Sequence, residues 1–306
     1  MADRLRFAVL GPGGVGGLLA ALLSREGDSV MVLAGDSTAR TIAHEGIRVE
    51  SQRFGDFTAR VKAASELSEP VDAVLVTVKA THLDGAVERV SPSALGSALV
   101  IPFLNGLDHV ERLRRIYGTD SVVAAAIRIE TTRIAPGVIR HTSPFAVVDI
   151  AKTTHVAERV AAIGSHLEAT GLDVRVMDDE NAMLWDKFAL LAPMALLTTH
   201  ARANVGRIRK ERREDLVALV GEAASIAHAD GVDIDPTAIL RVIDMAPGGL
   251  ETSMQRDQAA GRPLELDALG GALLRRAAKA GIDAPVTSRL VGEIWSRDAS
   301  GASKSA

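Results

Sequence analysis

The sequence predicts an α/β chain: a doubly wound, mostly parallel sheet followed by an all-helical domain. Short β-type runs alternate with helical stretches through residues 1–178, strand-like runs nearly vanish after Asp178-Asp179, and 306 residues suffice for two packed cores. The first strand, 6–10, runs from Phe7 to Leu10 into Gly11-Pro12-Gly13. An amphipathic helix over 14–25, stopped by Gly27, leads to a strand at 30–33 and a helix at 38–45. Residues 47–50 and 58–61 read as short added strands. Residues 71–78 are apolar except Asp72 and Thr77, as in a strand buried on both faces. A helix at 83–90 follows. Strands at 98–104 and 121–127 continue the sheet around a helix at 107–117, with Pro102 as the weak point of the first. Residues 138–141 and 145–150, joined by Thr142-Ser143-Pro144, read as a hairpin, followed by a helix at 154–170 and a strand at 173–177. Beyond 178 the periodicity predicts helices at 180–197, kinked at Pro193, at 214–229, at 236–245 with Asp235 as cap, at 253–260, at 267–280 stopped by Gly281, and at 285–297. Residues 301–306 read as a frayed tail. Trp185 and Trp295 read as core anchors.

Composition excludes several function classes. Lys and Arg number 35 against 39 Asp and Glu, a net charge of −4 with both signs mixed, which speaks against nucleic acid as a partner. The absence of cysteine removes disulfides, thiolate metal sites and thiol catalysis. The eight histidines show no ligand spacing, so no metal site is expected. No apolar run is long enough to span a membrane, and the charged start broken by Gly11-Pro12 is not that of a signal peptide; the expected compartment is cytoplasmic.

The chemistry begins at Gly11-Pro12-Gly13-Gly14-Val15-Gly16, a G-x-G-x-x-G string between a strand and a helix. There Gly11 permits the tight turn, Gly13 lets the backbone approach a pyrophosphate, and Gly16 lets helix and strand pack closely. Free N–H groups at the helix N-terminus favour the phosphates. Residues 1–178 therefore read as a Rossmann-like dinucleotide-binding domain, with Gly11, Gly13, Gly14, Val15 and Gly16 at the cofactor. After the second strand, Asp36 leans towards NAD and Arg40 towards NADP, while Asp36 serves equally as an N-cap; the choice stays open. Lys79 and Asn105-Gly106 end neighbouring strands, at the carboxyl edge where such sheets bind ligands. Each alone reads as a loop lysine or an Asn-Gly turn.

Lys187 stands in an apolar stripe between Met183, Leu184, Leu190 and Leu191. Desolvation there would lower its pKa and make it a usable proton donor; a snorkelling lysine is the plainer reading. Ser253, Asp257 and Glu265 lie in the polar stretch 251–267, with Ser253 a candidate N-cap.

In their order and spacing these landmarks resemble the ketopantoate reductases (2-dehydropantoate 2-reductases) from end to end: the glycine string, Val78-Lys79-Ala80, Asn105-Gly106, Trp185-Asp186-Lys187, Thr252-Ser253-Met254, Asp257 and Glu265-Leu266-Asp267. The resemblance implies reduction of an α-keto acid by NADPH, most simply 2-dehydropantoate to pantoate. It implies that Lys187 donates the proton to the developing alkoxide and that Glu265 positions the nicotinamide ribose and the substrate hydroxyl. Lys79 and Asn105 would line the cofactor crevice, with Asn105 also reaching the substrate, and Ser253 would bond the substrate carboxylate. Residues 179–306 would form the helical substrate and catalytic domain, with the cleft between the domains.

The departures are as informative. Asparagines usual in the family one and two turns after the lysine are Leu191 and Ala195, another before the serine is Leu250, and the arginine after the second strand is Gly35, so NADH is also open as cofactor. A site that has lost hydrogen-bonding partners discriminates differently, which raises two rivals: a same-fold reductase of a more apolar keto acid, and a dinucleotide-binding sensor without turnover. The expected partner is a small keto acid. Apolar stretches such as 268–274 could form a homodimer face or serve as core.

Overall fold

The computed structural model describes residues 4–302. The chain divides into two compact units: unit 1 comprises the residues up to Leu104 together with His109–Met183, and unit 2 comprises Asn105–Asp108 and the residues from Leu184 onward.

Unit 1 is built on a five-stranded parallel sheet in the order β5-β2-β1-β6-β7, formed by β1 (Arg6–Leu10), β2 (Ser29–Leu33), β5 (Lys62–Ala64), β6 (Ala73–Val76) and β7 (Leu99–Pro102). The central β1 pairs in register with β2 and β6, and its Phe7, Ala8 and Val9 have no solvent exposure. Pro102 is tolerated because β7 is an edge strand. A second sheet, β4-β3-β10-β9, combines β3 (Ile47–Ser51), β4 (Phe57–Ala59), β9 (Thr131–Ala135) and β10 (Val138–His141). A third, β12-β11-β8, combines β8 (Ala125–Arg128), β11 (Val147–Ala151) and β12 (Asp173–Met177). Its middle strand carries Asp149, 1% exposed and ion-paired to Arg128 and Arg175 on the flanking strands.

Two expectations fail here for one reason, the insertion of extra sheets. The predicted hairpin does not form: β10 pairs with β9 and β3, whereas β11 pairs with β8 and β12. Strand 121–127 does not continue the first sheet, pairing with it through the isolated bridge Val100–Val122. The strand expected over 58–61 forms as β4, and the strand that follows it, β5, lies in a different sheet and was not expected. The helix α1 (Gly14–Arg25) is not amphipathic, since Gly16 to Leu23 are all buried. It packs on β1 and β2 and also on β3, β4, β9 and β10, and a helix covered on both sides has no face to leave polar.

The remaining helices of unit 1 are α2 (Asp36–Glu45), α3 (Leu83–Val87), α4 (Pro92–Leu95), α5 (Asp108–Tyr117), whose first residue belongs to unit 2, and α6 (Ala157–Ala169). The predicted helix at 83–90 is thus a short α3, preceded by a 3-10 turn over Ala80–His82.

Helix α7 (Glu180–Ala201) runs through Pro193 and crosses into unit 2 after Met183. Unit 2 continues with α8 (Val205–Glu211), α9 (Arg213–Ala229), α10 (Pro236–Met245), α11 (Ser253–Ala259), α12 (Ala272–Ala280) and α13 (Pro285–Ala302). Asp235 caps α10 as expected, its Oδ1 accepting from the Thr237 N–H at 2.8 Å. The helix expected at 267–280 opens with a π-helical turn, Asp267–Gly271. Trp185 is fully buried, edge-on to Phe188 at 5.4 Å, whereas Trp295 is 65% exposed and is no core anchor. Gly301 continues α13, and residues 303–306 of the expected tail lie outside the described residues. Among the described residues no helix is long and apolar enough to cross a membrane.

Candidate active site

In unit 1 the candidate residues gather at the carboxyl ends of β1, β2 and β6. Gly11 leaves β1 with φ +90°, a conformation glycine adopts without strain, and its N–H donates to Leu33 O at 3.0 Å. The Thr77 hydroxyl bonds to Leu10 O at 3.0 Å and Gly11 O at 2.8 Å, tying the turn to the strand beside it. A Cβ on Gly16 would run into Thr77 Oγ1 and the Gly11 carbonyl, so close helix-to-turn packing depends on its absence. Gly13 differs: a Cβ there would meet nothing nearer than Gly11 O at 4.0 Å. Gly13 is itself the N-cap of α1, which has no side-chain cap and no acidic residue in its first turn. Unsatisfied N–H groups at the positive end of a long helix fit a dinucleotide pyrophosphate. Gly14 is held against Thr131 of β9, and Val15 packs on the core.

Lys79 follows β6, half-buried, at the cap of the 3-10 turn. Asp36 and Arg40 are exposed on α2. Gly35 caps that helix and Asp36 is its first residue, so Asp36 is not the N-cap.

In unit 2 three residues far apart in sequence meet. Lys187 Nζ donates to Asn105 Oδ1 at 3.0 Å, and Asn105 Nδ2 donates to Glu265 Oε2 at 3.2 Å. The lysine and the carboxylate, the latter only 4% exposed, thereby orient the asparagine amide. Gly106 makes the placement possible: with φ +97°, its missing Cβ would stand 2.6 Å from Ala268 O in the π-helical turn after Glu265. π-Helical turns concentrate at functional sites.

Asp108 fastens the same segment to unit 2, accepting from Arg275 Nη2 at 2.8 Å and from Arg276, whose Nε in turn bonds Asp230 at 3.0 Å. Burial pushes the Asp108 carboxyl up, but hydrogen bonds from Arg276 and Arg275 outweigh it and hold the group below the usual carboxylate range.

Ser253 is half-buried at the first position of α11. Its expected capping role falls to Thr252, whose Oγ1 accepts from Gln255 N at 3.3 Å and lies 2.9 Å from Thr198 Oγ1 on α7. Sequence reasoning missed this threonine pair; a Thr-Ser step before a helix was the available signal. Asp257, also buried, pairs with Arg262 at 2.9 Å. Leu191 and Ala195 follow Lys187 by one and two turns of α7.

Comparison with known proteins places these two halves. Residues 7–154 match the family model described as ketopantoate reductase PanE/ApbA, and residues 179–295 match its C-terminal counterpart. The 2-dehydropantoate 2-reductase of Caulobacter vibrioides is 29% identical over 93% of this chain and 96% of its own length. An uncharacterized oxidoreductase of Bacillus subtilis, YkpB, is 27% identical over 95% and 98%. A PanE/ApbA family ketopantoate reductase from Ralstonia eutropha JMP134 superposes with a TM-score of 0.87 at 27% identity, covering 97% of this chain and 99% of its own. D-mandelate dehydrogenase solved with NADH and anilino(oxo)acetate shares the fold, with a TM-score of 0.89 at 19% identity over 97% and 99% of the two chains. The chain belongs to the ketopantoate reductase family and is an NAD(P)-dependent oxidoreductase of that family.

Proposed function

We propose that the protein reduces the keto carbon of an α-keto acid, 2-dehydropantoate to pantoate, with NADPH or NADH as hydride donor. The observation that carries the reading is the Lys187–Asn105–Glu265 chain of hydrogen bonds, 3.0 and 3.2 Å long. The bound dinucleotide supplies the hydride from its nicotinamide ring. Gly11, Gly13, Gly14, Val15 and Gly16 would hold its pyrophosphate, and Lys79 and Asn105 would serve as further cofactor contacts. As negative charge grows on the ketone oxygen, Lys187 Nζ hydrogen-bonds it and transfers its proton, leaving a neutral amine that solvent reprotonates. Asn105 Oδ1 aims the ammonium. Glu265 holds Asn105 and would meet the nicotinamide ribose and the substrate hydroxyl, while Ser253 would bond the substrate carboxylate. Residues 1–178 are the dinucleotide-binding domain and 179–306 the substrate domain.

A second reading rests on Leu191, Ala195 and Leu250. Apolar side chains one and two turns beyond the lysine favour a keto acid with an apolar chain over one whose hydroxyl needs a partner. The test is absorbance loss from NADPH, and in parallel NADH, on adding ketopantoate or straight-chain apolar keto acids to purified protein. Turnover fastest with ketopantoate supports the first reading, and turnover fastest with the apolar acids supports the second. Tight dinucleotide binding without turnover of any keto acid would sink both in favour of a sensor.

A further inference from the structure

At the carboxyl end of β2, where a Rossmann-type sheet distinguishes its dinucleotides, the chain has Gly35 in an exposed turn. A guanidinium nevertheless stands there, delivered from another element. Arg89, just beyond α3, sends Nη1 to Ala34 O at 3.1 Å and to Ser65 O at 2.8 Å, the carbonyls just past the ends of β2 and β5. Its own backbone is fixed by Arg89 N to Ala86 O at 3.0 Å and by Leu67 N to Arg89 O at 2.8 Å. Both Nη1 protons are consumed by these carbonyls, while Nε and Nη2 have no hydrogen-bond partner among the described residues. Nη2 lies 4.0 Å from where a Cβ on Gly35 would stand, and outside Gly35 and its two chain neighbours no other described atom comes as near. No carboxylate pairs with this half-buried arginine among the described residues. Asp36 and Arg40, by contrast, are exposed and unanchored.

We infer that Arg89 is the specificity-determining residue for the cofactor, its free guanidinium edge receiving the 2′-phosphate of NADPH over Gly35. The inference rests on the dinucleotide reading of the glycine turn. A planar fork held by two carbonyls loses little freedom on meeting a phosphate, and a charge-assisted pair of this kind is among the strong ones. Glycine at 35 leaves the approach clear.

Binding by calorimetry of adenosine 2′,5′-bisphosphate against AMP, and of NADPH against NADH, tests it with no turnover required. Wild-type protein is expected to favour the 2′-phosphorylated member of each pair, and Arg89→Met to weaken that member about 10- to 100-fold while leaving the other within about twofold. Arg89→Lys, which keeps the charge and stem, is expected to retain part of the preference; it carries the test if the methionine variant does not fold. Equal weakening of both members, the mark of a merely structural tie, overturns the inference, as does an unchanged ratio. If wild-type protein binds neither dinucleotide, the dinucleotide reading itself falls; if it binds both equally, only the role of Arg89 does.

Discussion

The glycine turn and the lysine site are built in opposite ways. Residues 11–16 are contiguous, held by backbone bonds and by packing that excludes a Cβ at Gly16, and their chemistry is that of N–H groups any sequence would carry. The Lys187–Asn105–Glu265 chain joins side chains up to 160 positions apart and exists only because Gly106 and Asp108 dock one short segment in unit 2. A site made of backbone fails when its shape is filled. A site made of side chains fails when one polar group is removed.

The contrast can be broken from either side. On dinucleotide binding the largest effect is expected from Gly16→Val, whose side chain would collide with Thr77 and the Gly11 carbonyl. Overpacking of this order should weaken dinucleotide binding about 10- to 100-fold or more, read by titration of NADPH fluorescence. Unchanged affinity would mean that the turn does not hold the cofactor. Asn105→Ala comes next: it leaves the turn intact but removes both bonds of the polar chain, and should lower kcat by about tenfold. A change confined to KM would place Asn105 in substrate binding alone.

The smallest effect concerns the anchor. The Asp108 carboxyl sits below its ordinary range in the folded protein, so its contribution to stability is complete above the unfolded carboxylate range and is lost as pH falls through the lower folded value. Asp108→Asn should therefore cost no more than about 1 kcal/mol near pH 7, because the group is 43% exposed and screened. The gap in melting temperature between variant and wild type should close below about pH 4. A gap that widens on acidification would contradict the assignment.

How much was legible from sequence follows the same division. The unit β1-turn-α1-β2 could be read locally, since strand, glycine string and helix are contiguous. The added sheets could not: β9, with its Thr131-Thr132-Arg133 start, carries too little apolar character to declare itself, and without it β10 looks like the partner of β11. Helix α8 was hidden by its charged composition, Arg207, Arg209, Lys210 and Glu211 outweighing Val205 and Ile208. Ser253 and Asp36 were candidate caps that the structure does not use, because the residue before each, Thr252 and Gly35, fills that position. For the lysine site, spacing had nothing to offer, as no local pattern links Asn105 to Glu265. Only the resemblance ordered those residues, and only the fold gives them distances. Arg89 escaped both, because its importance lies in the carbonyls it bonds and in the glycine it faces.

The central claim is that Lys187 delivers the proton in keto acid reduction while the glycine turn, independently, holds the dinucleotide. Lys187→Ala tests it most directly, with steady-state turnover on the best keto acid and the dinucleotide dissociation constant measured on the same preparation. Turnover about 10²- to 10⁴-fold lower with dinucleotide affinity unchanged is the predicted result. Turnover within a few-fold of wild type, or loss of dinucleotide binding in step with activity, would contradict it.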